Sequence, residues 1–376
     1  MTNYDIVIVG GGIVGSTAAL LLAQQSTHKI AVIEANVSAP HKRVSSISLG
    51  AQRILKKINA WPEKASPFTQ MYVWEEKGNG KLEFDCRDVN ESVLGFIVED
   101  EALRKSLLTQ IQQQQNIDFF APYALTALYE KENAIELHTQ DKTFTANLVI
   151  AADGANSFVR QQAKIELTTW EYEQTAIVTT VTTEYLHQKT AWQRFLTTGP
   201  LAFLPLDDLH ACSIVWSAKN DCAKELLTLS DKEFSDRLAK AFDYRLGSIV
   251  TVQPRVHFPL TMRHAKNYVK PHLALIGDAA HTLHPLAGQG VNLGIFDAVC
   301  LAKTTMTSTH FSHLRRFERE RKSANLAMIT AVEALKNLFS LEKNPIATLC
   351  TFGLHLTNRT QWLKNFFTSY AIGSEK

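Results

Sequence analysis

The run Gly10-Gly11-Gly12-Ile13-Val14-Gly15 satisfies the pattern G-x-G-x-x-G and directly follows the continuously apolar segment Ile6 to Val9. In such a run Gly10 permits a tight turn, Gly12 lets a pyrophosphate approach the backbone, and Gly15 lets a helix pack closely on a strand. Ile13 to Gln25 carries helical spacing through Val14, Ala18, Leu21 and Leu22. The first turn, at Ile13 and Val14, therefore offers free N–H groups and partial positive charge to phosphates. Glu34 closes a second strand about 20 residues beyond the glycines, where an acid accepts hydrogen bonds from ribose hydroxyls and repels a 2′-phosphate. That disfavours NADP in this site. The bland alternative is a glycine-rich turn with a surface glutamate, and the motif alone does not separate FAD from NAD.

These residues need elements to position them. Strand, helix and the strand Lys29 to Ile33 fall within about 30 residues, a βαβ unit whose crossover demands a parallel sheet. Leu148 to Ala152 and Leu273 to Ile276 read as further buried strands, and Leu103 to Gln115 as a helix. From Met71 to Phe96 the pattern alternates about a Gly78-Asn79-Gly80 turn, as in an antiparallel hairpin. β-Rich stretches at Ala176 to Val181, Leu201 to Leu204 and Ala211 to Trp216, broken by Pro200, Pro205 and Pro254, predict a second, antiparallel sheet. After the Gly-rich segment that follows Ile276, helices run to the end of the chain. The expected organisation is a discontinuous nucleotide-binding domain of residues 1–68, 97–167 and 262–330. A substrate domain takes 69–96 and 168–261, and C-terminal helices take 331–376.

With 376 residues and 45% hydrophobic content, two domains with sizeable cores are expected. Lys+Arg 39 against Asp+Glu 37, a net charge of +2 without a like-charge block, argues against nucleic acid. The five cysteines form no C-x-x-C pair, which suits a reducing cytosol. No basic n-region and no 18-residue apolar run is present, so neither export nor a membrane span is expected.

Two later motifs carry a resemblance. Asp153-Gly154-Ala155-Asn156-Ser157-Phe158-Val159-Arg160 resembles the D-G-x-x-S-x-V-R motif of the class A flavoprotein monooxygenases, and Gly277-Asp278-Ala279-Ala280-His281 their G-D-A-A-H. His284-Pro285-Leu286-Ala287-Gly288-Gln289-Gly290-Val291-Asn292-Leu293-Gly294, closed by Asp297, is similar to H-P-L-A-G-Q-G-x-N-L-G-x-x-D of the ubiquinone-biosynthesis hydroxylases. Gln193-Arg194-Phe195, Gly199 to Leu206 and Val215-Trp216-Ser217 look like that family's substrate-domain segments. The likeness covers essentially the whole chain.

The resemblance implies an α/β fold with a Rossmann-like FAD-binding domain of the p-hydroxybenzoate hydroxylase type, an antiparallel-sheet substrate domain and a helical C-terminus. It implies non-covalent FAD, with NAD(P)H as a transient reductant and molecular oxygen as co-substrate. The chemistry would be ring hydroxylation of a polyprenyl phenol or benzoquinol through a flavin hydroperoxide. Asp278 would touch the ribityl and pyrophosphate region, with Asp153, Gly277, Val291 and Asn292 also at the cofactor. Arg43 and Arg104 match two arginines near FAD, whose guanidinium fits phosphate charge. Leu125 matches a backbone contact to adenine, and Asp100 stands where the family more often has Asn. Pro285, Gly288, Gln289 and Gly290 would face the flavin, the helix from Val291 aiming its positive end at the pyrimidine edge. No side-chain base is evident, and the His281/His284 pair reads as loop structure rather than a metal site. A second G-x-G-x-x-G is missing, and so is the W-x-W-x-I-P motif of flavin halogenases.

Trp362, Phe366, Phe367 and Tyr370 recur at helical spacing beyond Leu335, Leu338, Phe339 and Leu341. Core packing and a lipid- or partner-facing stripe are both open, so peripheral contact with the inner membrane and a biosynthetic complex are candidate associations. The competing functions are hydroxylation of a soluble aromatic and a non-catalytic FAD-binding component.

Overall fold

The computed structural model describes residues 2–36, 43–76, 81–283, 288, 290–306 and 309–340, with 335–340 by their backbone. Its centre is an eight-stranded sheet with the order Val269–Lys270, Leu273–Leu275, Thr143–Ala151, Thr2–Val9, Ile30–Ile33, Ile117–Phe120, extended by Ile135–Thr139 and Leu125–Glu130. Thr2–Val9 pairs in parallel with both Ile30–Ile33 and Thr143–Ala151, as the βαβ reading requires. Ile6, Val7 and Ile8 are wholly buried because helices cover the sheet, which is why this strand is continuously apolar rather than alternating. Burial of each such side chain contributes about 1.5–3 kcal/mol. The helix Ile13–Gln25 packs against both Asp100–Ile111 and Gly290–Thr305. Ala18 to Leu22 are buried on every side of it. The Asp100–Ile111 helix starts and ends earlier than the periodicity alone predicts, and Gln112 to Gln114 form turns at its end.

The second sheet has nine strands. In order they are His281–Thr282, Val256–Ala265, Leu167–Thr183, Ala211–Lys219, Gly199–Pro205, Thr190–Leu196, Gln70–Glu75 and Lys81–Asp85, with Ile249–Val252 on Leu167–Thr183. Its pairings are antiparallel except one: the Gln70–Glu75/Lys81–Asp85 hairpin joins Thr190–Leu196 in parallel. The other end of the predicted excursion, Gly95–Glu99, instead enters a three-stranded sheet between Val44–Ser48 and Ser66–Phe68.

Pro200 and Pro205 lie within the strand Gly199–Pro205 rather than breaking it. Helices Asn220–Thr228 and Asp231–Ala241 interrupt the region that reads as β-rich. The second opens on a capping box in which Ser230 accepts from the Glu233 amide and Glu233 accepts from the Ser230 amide. Ser230-x-x-Glu233 was the available signal. No described helix is long and apolar enough to cross a membrane. The aromatic stripe from Trp362 to Tyr370 and Leu341 lie outside the described residues, as do the side chains of Leu335, Leu338 and Phe339.

Candidate functional site

Four neighbouring parallel strands end level with one another. Val9 is in register with Ile33 and with Ala151, and Ala151 with Leu275. The residues that follow are Gly10, Glu34, Asp153 and Gly277-Asp278, so four segments distant in sequence meet along one edge. Ligands of open α/β sheets bind outside these carboxyl ends.

The glycines divide by what a Cβ would meet. Gly10 has φ +104°, and a Cβ there would lie 2.3 Å from the Ala152 carbonyl oxygen; at Gly15 it would lie 1.9 Å from the Gly10 oxygen. Those two serve the turn and the helix–strand contact. At Gly12 a Cβ would meet nothing within 4 Å, and the same holds at Gly290. Both bare backbones stand at the start of a helix, where unsatisfied N–H groups point outward, so each is a cradle open to an anion or a polar ring edge. Gly290 does not have a positive φ; Gly288 does, at +60°, and its Cβ would press on Ser46 Cβ at 2.7 Å. Among the described residues of this segment the positive φ therefore belongs to Gly288. Pro285, Gln289 and His284 lie outside the described residues.

Glu34 is half-buried; Oε2 accepts from the Gly11 amide at 2.6 Å and Oε1 from the Asn36 amide at 2.8 Å. Ile13 is buried and Val14 half-buried, with Val14 against both Gly277 and Gly294. Asp153 Oδ2 accepts from the Val159 amide at 3.1 Å, while Oδ1 is buried without a hydrogen bond. Burial pushes that carboxyl above its usual range. In the same motif Ser157 caps the Arg160 amide, and buried Arg160 donates to the Ala155 and Ala279 carbonyls, both at 2.9 Å. The first of the two late motifs thus braces the second.

Asp278 is exposed at its surface, while protein atoms crowd around its carboxyl. That confinement raises its carboxyl against the pull of His281 and Arg43, and Asp100 adds to the rise. Arg43 lies over the Phe258 ring at 5.5 Å, and its carbonyl accepts from the Asp100 amide. Arg104, half-buried and one helical turn beyond Asp100, makes no hydrogen bond or ion pair among the described residues. Arg43 and Asp100 are therefore near enough to Asp278 for their charges to act on it, and Arg104 shares the helix face of Asp100. Asp100 itself accepts from Ser45 Oγ at 2.5 Å. Leu125 is half-buried at the start of its strand and packs on the main core.

Asn292 is buried, and its amide is fully used: Oδ1 accepts from the Ser48 amide at 2.9 Å, and Nδ2 donates to the Ser46 and Gly288 carbonyls. Its side chain fastens the helix start to the strand Val44–Ser48. Val291 is half-buried beside it. Sequence reasoning missed what surrounds Asp297, which is wholly buried and meets His281, Arg321 and Asn325; only the spacing of Arg321 and Asn325 on one helix face hinted at a shared task.

These features fit an FAD: an open helix N-terminus for the pyrophosphate, a carboxylate for the ribose, charged side chains near Asp278, and a second open helix start. Comparison with known proteins agrees. A family model described as FAD binding domain matches residues 3–328. The human mitochondrial ubiquinone biosynthesis monooxygenase COQ6 is 32% identical over 443 residues, covering 98% of this chain and 92% of that protein. The 3-demethoxyubiquinol 3-hydroxylase of Escherichia coli K12 is 34% identical over 394 residues, covering 99% and 100%. Among solved structures, p-nitrophenol 4-monooxygenase PnpA from Pseudomonas putida superposes with a TM-score of 0.83 at 16% identity, covering 100% of both chains, a likeness of fold.

Proposed function

We propose, from the premise that this chain belongs to the FAD binding domain family, that it is an FAD-dependent monooxygenase hydroxylating the ring of a polyprenyl phenol or benzoquinol on the route to ubiquinone. The observation that carries this reading is the near-full-length likeness to two ubiquinone-pathway hydroxylases, joined to a site whose open glycines and acids suit FAD.

Bound FAD, reduced by NAD(P)H, supplies the oxygen activation that an aromatic ring itself lacks. The protein's part is to hold, orient and keep dry. Gly12, Ile13 and Val14 present backbone N–H groups to the pyrophosphate, and Gly10 and Gly15 let that turn close. Glu34 accepts from a ribose hydroxyl. Asp278, with Asp153 and Gly277 beside it, takes the ribityl hydroxyls, and Arg43 and Arg104 offset phosphate charge. Gly288, Gly290, Val291 and Asn292 present a helix N-terminus to the flavin's pyrimidine edge, favouring negative charge there; Pro285 and Gln289 belong to the same loop. Leu125 is assigned to the adenine.

We assign residues 1–68, 97–167 and 262–330 to cofactor binding and 69–96 with 168–261 to substrate binding. Residues 331–376 are assigned to a separate C-terminal part, helical as far as Ser340 among the described residues. We further place the enzyme in the cytoplasm at the inner membrane surface, in contact with other enzymes of the pathway, because a polyprenylated substrate must be drawn from lipid.

The test is quinone profiling of a deletion strain. The expected result is loss of ubiquinone with build-up of one under-hydroxylated intermediate, restored by the wild-type gene. An unchanged quinone pool would overturn the assignment.

A further inference from the structure

The carboxylate of Asp297 is a bridge. On one side Oδ2 accepts from the Gly277 amide at 3.0 Å and from His281 Nε2 at 2.6 Å, the two ends of the segment that carries Asp278. On the other side Oδ1 accepts from Arg321 Nε at 2.8 Å and Asn325 Nδ2 at 3.2 Å, one turn apart on the helix Phe311–Ser340. Arg321 also donates to Asn325 Oδ1 and to the Leu293 carbonyl. Asp297 itself belongs to a third segment, the helix Gly290–Thr305.

The packing leaves this arrangement little slack. A Cβ at Gly294, three residues before Asp297, would lie 2.5 Å from Val14 Cγ2 and 3.2 Å from Gly277 Cα. The 277–281 segment therefore rides directly on the helix, and the helix on the first turn after the phosphate loop. In its first turn the same helix is tied by Asn292 to Ser46 and Ser48.

A buried ion pair contributes little net stability, because desolvation offsets attraction, but its hydrogen bonds fix geometry; here His281 Nδ1 is the buried atom of the cluster left without a partner among the described residues. We propose that Asp297, neutralised by Arg321 and seconded by Asn325, is a positioning residue that sets Asp278 at the correct distance from the open helix start at Gly290, so that ribityl and ring contacts of one FAD are made together. This rests on the reading of Asp278 and Gly290 as FAD contacts. His281 serves as the second donor to Asp297 Oδ2, and its charge also acts on Asp278.

The variants Arg321→Gln, Arg321→Lys and Asn325→Leu, with Arg316→Gln as control, test it. Arg316 lies on the same helix, exposed and paired with Glu320. Apoprotein of each is titrated with FAD at low temperature. The thermal midpoint of the apoprotein and the visible absorption of bound flavin are read in parallel.

The expected result is an FAD affinity about tenfold lower in Arg321→Gln, equal to about 1.4 kcal/mol. Flavin absorption should alter, Arg321→Lys should recover part of the affinity, Asn325→Leu should fall between, and the control should match wild type. Equal affinity and an unaltered flavin spectrum in Arg321→Gln and Asn325→Leu, even with lowered midpoints, would overturn the proposal and leave the cluster a packing feature. If Arg321→Gln fails to fold, Asn325→Leu decides by the same readout. Wild-type apoprotein that takes up no FAD would instead defeat the underlying reading of the site.

Discussion

Glu34 and Asp278 are acids at one edge of the sheet, beyond strands with two others between them, but their surroundings set them different tasks. Glu34 already accepts two backbone N–H groups, so it holds the turn and keeps lone pairs for a ribose donor. Glu34→Ala is expected to weaken FAD binding by about 1–3 kcal/mol, because a partly buried donor loses its acceptor. Titration of apoprotein by flavin fluorescence would measure it, and unchanged affinity would return Glu34 to a turn-forming role. Protein atoms crowding Asp278 raise its carboxyl, so above the ordinary carboxylate range its charge costs the empty protein stability. Asp278→Asn should leave the apoprotein midpoint equal or higher near neutral pH, with the difference fading as pH falls below that range, while FAD affinity drops. A midpoint lowered at neutral pH would contradict this. Asp297 has the opposite sign. Burial alone would raise its carboxyl, but the charges and hydrogen bonds of His281 and Arg321 outweigh that and hold it at about 2. Its contribution is present above the ordinary carboxylate range and is lost as pH falls toward about 2.

Helix starts carry the element-scale argument. Ile13–Gln25 and Gly290–Thr305 both begin at a glycine-bearing turn, and at each the structure distinguishes a packing glycine from an open one. Gly15→Ala drives a methyl group into the Gly10 carbonyl, so overpacking should cost about 1–3 kcal/mol or more of stability. Gly290→Val meets open space in the empty protein, so its apoprotein should melt near wild type while hydroxylation falls steeply, the side chain occupying the place of the ring. Thermal midpoints and product formation at saturating FAD compare the two. A Gly290→Val enzyme of near-wild-type activity would show that this helix start does not face the flavin.

Across the whole molecule the proposed cofactor site draws on segments from residue 10 to residue 292, so a bound FAD would join pieces that the chain keeps far apart. Any ligand that binds only the folded state stabilises it by mass action, about 2.7 kcal/mol at a hundredfold excess over Kd. Saturating FAD should therefore raise the midpoint in a concentration-dependent way, and acid precipitation should release free FAD because no covalent attachment is implied. Retention of flavin in the acid pellet would refute the second expectation. Much of this assembly was legible before any coordinates. The G-x-G-x-x-G run, its flanking strand and helix and the late G-D-A-A-H segment are local patterns, because turn geometry and helical periodicity are set by neighbours in sequence. The helix Asp231–Ala241 was written in the capping box at Ser230 but masked by β-rich surroundings, while Asn220–Thr228, which no side chain caps at its start, carried no such signal. What no local pattern contains is which strand ends stand level, that the 70–85 hairpin joins Thr190–Leu196 in parallel, that Gly288 rather than Gly290 carries the positive φ, and that Arg321 and Asn325 meet Asp297. Those are decided by sheet register and helix packing across tens to hundreds of residues, where buried charges must find partners the chain supplies only after it has folded.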